Sequence, residues 1–466
     1  MEDKTKTHNR QLHIFFFPFM AQGHFIPIID MAMLFASRGS KATIITTPYH
    51  ANLLSKTLQR YSQLSSANSQ INVLTFEFPS VENGLPQGCE SFHMAASSQL
   101  LPKFFKATTM LGPQLDLLLK RHRPDCLVSD MFFPWSTDVA ARHGIPRLIF
   151  HGSCYFSLCA SLCVHRYEPQ RHVSSDSEPF LIPNLPGAIE FTRNQLPDFQ
   201  KKDEETELSK VYRASRQVEE RSYGVLVNSF YEIEPVYADH YGKGLGVRAW
   251  HIGPLFLRNK LLAEDKANKG IEMEHECLKW LNSKAPNSVV YVCFGSLADF
   301  NDSQLMEIAM GLEASGKEFI WVVKKEKKQG VTEEWLPEGF EKRMEGKGLI
   351  VRGWAPQVQI LDHDAVGGFV THCGWNSTLE GVCAGVPMVT WPVLVGDFVK
   401  REAVEKAVSR IIAGEEAQEM RSKAKALGEM ARKAIMEGGS SYLELDNFIE
   451  ELKVHSNRMA RDGASF

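Results

Sequence analysis

Short β-branched or aromatic runs alternate with longer amphipathic runs along this chain, and they do so in two separate series. That alternation is the pattern of βα units wound around a parallel sheet, so it predicts an α/β protein built from two doubly wound, Rossmann-like parallel-sheet domains. In the first series Leu12–Phe17 reads as the opening strand, passing through a Gly-His turn at Gly23-His24 into an apolar-periodic helix from Ile26 to Arg38 that ends at Gly39. Strands are predicted at Ala42–Thr46, Asp125–Ser129 and Arg147–Phe150, with a helix over Pro134–Arg142. In the second series Val289–Phe294, Phe319–Val323, Gly368–Thr371 and Met388–Thr390 read as strands, Ser303–Ala314 as a helix, and the tail as helical to about Val454. Trp250-His251-Ile252-Gly253-Pro254 and the charged stretch from Arg258 to Glu276 separate the series. The expected domains are therefore 1–254 and 255–466, with the last helix packing back on the first. A chain of 466 residues is long enough to give each a core. Open sheets of this kind bind ligands outside the carboxyl ends of their strands, which places the expected site in a cleft between the two domains.

The formal net charge of −4 is spread through the sequence without a basic block, which excludes a nucleic-acid or anionic-membrane footprint and leaves small molecules as the expected partners. Met1–Gln11 is polar, and the apolar run after it is broken by Gln22, Gly23, His24 and Pro27, so neither a secretion signal nor a membrane span is expected. Nine cysteines, an odd number without paired short spacings, fit a reducing, cytoplasmic location. Cys154, Cys159 and Cys163 fall along an apolar helical stretch and read as packing.

Two motifs invite the wrong chemistry, and a rival fold reading lacks its own. Gly311 to Lys317 spells a near P-loop, but Glu318 stands where Ser or Thr would hold magnesium, and the segment follows a helix instead of a strand. Asp362-His363-Asp364 imitates a paired-aspartate metal motif, yet both acids follow an amphipathic helical turn, so no metal is assigned. A nicotinamide-dependent oxidoreductase, the rival for this architecture, requires a Gly-x-Gly-x-x-Gly turn that the first strand lacks.

The most informative stretch runs from Trp354-Ala355-Pro356-Gln357 through Thr371-His372-Cys373-Gly374-Trp375-Asn376-Ser377 to Glu380-Gly381. It reads as a strand, a polar turn and a helix. Backbone N–H groups and the helix dipole at His372–Ser377 favour a phosphate, and His372, Asn376 and Ser377 add side-chain donors, so a diphosphate could be held there without a metal or other cofactor. This stretch resembles the signature box of the plant secondary-product glycosyltransferases, inverting UDP-sugar enzymes of the GT-B fold. The similarity extends to the opening Phe-Phe-Pro-Phe-Met-Ala-Gln-Gly-His and to Cys-Phe-Gly-Ser at Cys293–Ser296. The resemblance implies that Trp354 stacks on uracil, that the Ala355 backbone pairs with its edge, and that Gln357 and Glu380 hold the ribose hydroxyls. It implies further that His372, Asn376, Ser377 and Ser296 hold the diphosphate and that Trp375 lines the sugar pocket, as in glucose-using members.

Transfer to a hydroxyl requires a base, because a phenol of pKa ~10 is barely ionised at neutral pH. The resemblance assigns that base to His24 and its partner to Asp130, a carboxylate that would fix the tautomer and stabilise the imidazolium. Asp130 is also suited to capping the turn at Phe132. What the resemblance implies is glucose transfer from UDP-glucose to a small flavonoid, coumarin, other phenolic or terpenoid acceptor by a monomer.

One departure stands out. After Met388-Val389-Thr390-Trp391-Pro392 the family carries an acid-Gln pair, a helix and a strand; here Val393-Leu394-Val395 runs directly into Gly396-Asp397-Phe398. Gly396 and Asp397 fall in the slots of the missing pair, which leaves Asp397 to accept from a sugar hydroxyl. The competing expectation is a deletion-impaired variant that binds UDP or acceptor with little turnover.

Overall fold

A computed structural model of the chain describes residues 11–64, 70–201, 205–258, 260, 275–295, 300–325, 335–391 and 398–463. It divides into two compact units, Met1–Asn268 with Ala434–Phe466, and Lys269–Lys433.

The first unit is organised by β1 (His13–Phe17). The two-residue period of a strand sends Ile14 and Phe16 into one core and Phe15 and Phe17 into another, so the strand is apolar throughout. Around it lie β2 (Lys41–Thr46), β3 (Ile71–Thr75), β4 (Cys126–Asp130) and β5 (Arg147–Phe150). A short antiparallel pair, β6 (Pro179–Leu181) and β7 (Glu190–Thr192), stands apart, and β8 (Gly224–Val227) and β9 (Ala249–His251) complete the main sheet. Its order is β3-β2-β1-β4-β5-β8-β9, with every pair parallel. The helices used below are α1 (Gln22–Ser37), α2 (Ser136–Arg142), α3 (Tyr155–Tyr167) and α4 (Glu207–Glu219).

The second unit contains β10 (Val289–Cys293), β11 (Glu318–Val323), β12 (Gly348–Arg352), β13 (Val366–Thr371) and β14 (Met388–Thr390) in the parallel order β12-β11-β10-β13-β14. Its helices include α5 (Asp302–Ser315), α6 (Gln357–Leu361), α7 (Trp375–Ala384) and α8 (Arg401–Ile412). Helices α5 and α8 approach so closely that a Cβ at Gly311 would lie 2.6 Å from the Val404 side chain. Gln304 bonds both the N–H and the carbonyl of Val399, and Glu307 grips Arg401 through its backbone N–H and its guanidinium. At the sheet edge, Met388 and Val389 of β14 are half-buried and Thr390 is exposed.

The tail forms two helices, α9 (Glu415–Ile435) and α10 (Ser440–Gly463), interrupted at Gly438, whose φ is +83°. Leu445, Phe448, Ile449 and Leu452 of α10 join Phe35 and Trp250 in the core beneath the first sheet.

Most element ends shift by one or two residues from expectation and the tail helix runs on to Gly463; the shifts around the first sheet's switch point matter most. Helix α1 begins at Gln22 instead of Ile26 and contains Pro27; Ala21, extended, is its cap residue and accepts from the N–H groups of His24 and Phe25. His24 therefore sits in the first helical turn, not in a Gly-His turn before it. Asp130 is the last residue of β4 instead of following it, and α2 starts at Ser136, not Pro134. The near P-loop is the end of α5, which Gly316 caps in the left-handed conformation before β11. The Asp362–Asp364 turn is tied down by His363, whose Nε2 meets Asn282 Oδ1 at 3.0 Å. Cys159 and Cys163 lie in the core around α3, and all nine cysteines are free thiols.

Candidate active site

In each sheet the chain winds outward one way, then returns to wind the other, leaving a switch point between two neighbouring strands where open α/β sheets bind ligands. In the first sheet that point lies between β1 and β4. The carboxyl end of β1 leads into α1, which carries His24, and β4 ends on Asp130. The His24 Nδ1 lies 2.7 Å from Asp130 Oδ2. Asp130 is fully buried and the His24 side chain 23% exposed, so the imidazole keeps one face open. The second oxygen, Asp130 Oδ1, accepts from the Phe132 N–H at 3.0 Å, so the carboxylate caps its turn and orients the ring at once. Burial draws the His24 pKa down, but the charge and hydrogen bond of Asp130 outweigh it and leave the value raised above 6.5. With Nδ1 engaged, Nε2 is the nitrogen available to take a proton.

The rings of Phe132 and Phe19 lie 5.2 and 6.0 Å from that of His24. Gly152, at φ +69°, fills the remaining side; a Cβ there would stand 3.4 Å from the imidazole. Sequence reasoning passed over Gly152. The usable signal is its place two residues after β5, the next strand outward from β4.

The second switch point lies between β10 and β13. Past β10 comes Gly295, and past β13 comes His372, whose ring lies so close to Gly295 and Gly374 that a Cβ on either would come within 2.5 Å of it. Its pKa is lowered by burial and by Lys324, and its Nδ1 is buried without a hydrogen-bond partner among the described residues. Cys373, at φ +64°, and Gly374 then turn the chain into α7, whose first residues are Trp375, Asn376 and Ser377. No side chain caps that end, and helix geometry leaves its first N–H groups without intrahelical acceptors.

Gln357 and Glu380 also come together. The Gln357 amide donates to Glu380 Oε2 at 2.6 Å and to Ser377 Oγ at 3.1 Å, and its oxygen accepts from Tyr291 at 3.3 Å. Tyr291, on the middle strand of this sheet, is a supporting residue that the motif did not reveal. Trp354 stands 73% exposed in the turn between β12 and α6, its ring edge-on to His275 at 6.1 Å, while Ala355 beside it is buried. Trp375 is half-buried. Ser296 and Asp397 lie outside the described residues. Among the described residues no group of three or more His, Cys, Asp or Glu could hold a metal, and no helix is long and apolar enough to cross a membrane.

A family model described as "UDP-glucoronosyl and UDP-glucosyl transferase" matches residues 251–443. The UDP-glucose flavonoid 3-O-glucosyltransferase 7 of Fragaria ananassa is 54% identical over 483 aligned positions, covering 95% of this chain and 96% of the relative. The scopoletin glucosyltransferase of Nicotiana tabacum is 52% identical, covering 96% and 99%. Among solved structures, Glycyrrhiza uralensis UGT73P12 complexed with glycyrrhetinic acid 3-O-monoglucuronide matches with a TM-score of 0.86, 38% identity and 98% coverage of both chains. With identity above half along nearly its whole length and two Rossmann-like sheets of the GT-B fold, the chain belongs to the plant family 1 UDP-glycosyltransferases.

Proposed function

We propose that this enzyme transfers glucose from UDP-glucose to a hydroxyl of a small phenolic or terpenoid acceptor with inversion, using His24 as the base. The observation that carries this reading is the 2.7 Å contact between His24 Nδ1 and a fully buried Asp130, which leaves Nε2 to face the acceptor. The acceptor O–H gives its proton to Nε2 while its oxygen bonds to the anomeric carbon. The bond from that carbon to the diphosphate oxygen breaks on the opposite side, and UDP leaves with the electron pair. The imidazolium is stabilised by Asp130 until it returns its proton to water.

For the donor, Trp354 offers a flat apolar face to uracil, the Ala355 backbone its edge, and the paired Gln357 and Glu380 a site for vicinal ribose hydroxyls. His372, Asn376, Ser377 and the start of α7 take the diphosphate, Ser296 is assigned to it from the sequence, and Trp375 lines the sugar pocket. The neutral imidazole and the backbone donors supply stabilisation without a metal. Free thiols throughout the chain fit a reducing cytoplasm.

A second reading concerns the join after Pro392. Alignments that run over 483 positions exceed the 466 residues of this chain, so relatives carry residues that it lacks. The short edge strand β14 and the 54% exposed Phe398 support a sugar subsite that is incomplete, in which Asp397 is left to accept from a sugar hydroxyl.

Incubation with UDP-glucose and a panel of flavonoid, coumarin and terpenoid acceptors, read by UDP release, product mass and anomeric coupling, tests both readings. Acceptor-dependent β-glucoside lost in His24→Ala supports transfer. UDP binding without product supports the impaired variant, and an α-glucoside rejects inversion.

A further inference from the structure

Strand β5 opens with a charged residue in an otherwise apolar strand. Arg147 is only 3% exposed, and burying a guanidinium ordinarily calls for a carboxylate partner. Here, among the described residues, every hydrogen-bond acceptor it reaches is neutral. Its Nε donates to Ser129 Oγ at 2.8 Å, Nη1 to Thr137 Oγ1 at 3.0 Å and Ser222 Oγ at 3.4 Å, and Nη2 to the carbonyls of Asp130 at 2.9 Å and Phe133 at 3.5 Å. Burial draws its pKa down to about 9, with Asp130 and Glu219 opposing the fall, so it remains charged at neutral pH.

Four of those five acceptors belong to one short segment, from the end of β4 through the turn to the start of α2. That segment carries the Asp130 carboxylate, the Phe132 N–H that holds its second oxygen, and the Phe132 ring beside His24. A rigid planar fork spanning the segment fixes its backbone in a way that a point charge could not. We propose that Arg147 is a positioning residue for the reaction: it clamps the β4–α2 turn so that Asp130 meets His24 at the distance needed to orient the base. The inference rests on the assignment of His24 and Asp130 made above.

The cavity beside Arg147 makes the role testable. It is an open pocket of about 450 Å³ whose lining includes Thr137, Pro146, Arg147, Arg221, Ser222 and Tyr223, so the space left by a truncated side chain would adjoin an opening to solvent. Arg147→Ala and Arg147→Lys are compared with the full-length enzyme for kcat and for the KM of UDP-glucose. Misplacement of a reacting group by about 1 Å costs on the order of 100-fold, so kcat is expected to fall about 10- to 100-fold in both variants with KM for UDP-glucose unchanged. Methylguanidinium, but not sodium chloride at the same ionic strength, should restore part of the loss in Arg147→Ala. In a His24→Ala background neither variant should lower the residual rate further. Wild-type kcat in Arg147→Lys, or an equal fold-loss with and without His24, overturns the proposal; if Arg147→Ala does not fold, the lysine variant decides alone. Full turnover in His24→Ala would instead sink the assignment on which the proposal rests.

Discussion

The two sheets reverse their winding in the same way and each sets a histidine at the reversal, yet the two imidazoles stand in opposite electrostatic settings. His24 stands against a buried carboxylate that raises its pKa, whereas His372 is wedged between two glycines with its pKa lowered by burial and Lys324. In the proposed mechanism the first ring gains a proton and the second stays neutral and donates a hydrogen bond. Topology supplies the location, while burial and the sign of the neighbouring charge set the direction in which each pKa moves.

Removing the first histidine is the severest way to break this contrast. His24→Ala is expected to lower kcat/KM on the order of 10³-fold while UDP affinity, measured by calorimetry, stays at the wild-type value. Unchanged turnover would mean that the two sites are not divided in this manner. Next in size is Asp130→Asn, expected to cost about 100-fold and to move the acid limb of the pH profile. In the wild type that limb reports a His24 whose pKa is raised, so activity is lost as pH falls through a value above 6.5. Without the carboxylate only burial remains, which favours the neutral ring, and the limb should drop below 6.5. An unmoved limb would detach Asp130 from the base.

The donor side sharpens the contrast from the other direction. Glu380→Ala is expected to raise KM for UDP-glucose about 10- to 100-fold, the loss of a hydrogen bond to a charged group, with a smaller change in kcat. Trp354→Ala should weaken UDP binding about 10-fold, since stacking on a base contributes ~1 to 3 kcal/mol. Equal effects of either change on kcat alone would assign these residues to the chemical step. Smallest of all is chelation: EDTA should leave turnover unchanged, and a rate restored only by magnesium would remove the metal-free reading of the diphosphate site.

The sheets were legible in the sequence because parallel strands are buried on both faces and read as unbroken apolar runs; Phe15, Phe16 and Phe17 need no alternation to be recognised. The start of α1 was hidden because Ala21, its cap residue, has no side-chain acceptor and Pro27 inside the helix looks like a terminator. The placement of His372, Gln357 and Glu380 followed from a contiguous motif. Tyr291 and Gly295 lie on or just after another strand, and their approach to that motif is made only by sheet order. Arg147 was invisible for a further reason: in sequence it is an arginine next to a proline, and its value lies in acceptors as distant as Ser129 and Ser222.

The packing of α10 under the first sheet ties the order of synthesis to the order of completion. Phe35 and Trp250 leave the ribosome early, but the helix that covers them is made only after the whole of residues 269–433. At ~5 to 20 residues per second that interval lasts roughly ten to thirty seconds, during which an apolar face of the nascent first unit stands uncovered and open to chaperones or misassembly. A premature stop codon near the end of the reading frame would thus strike the half of the protein that was translated first.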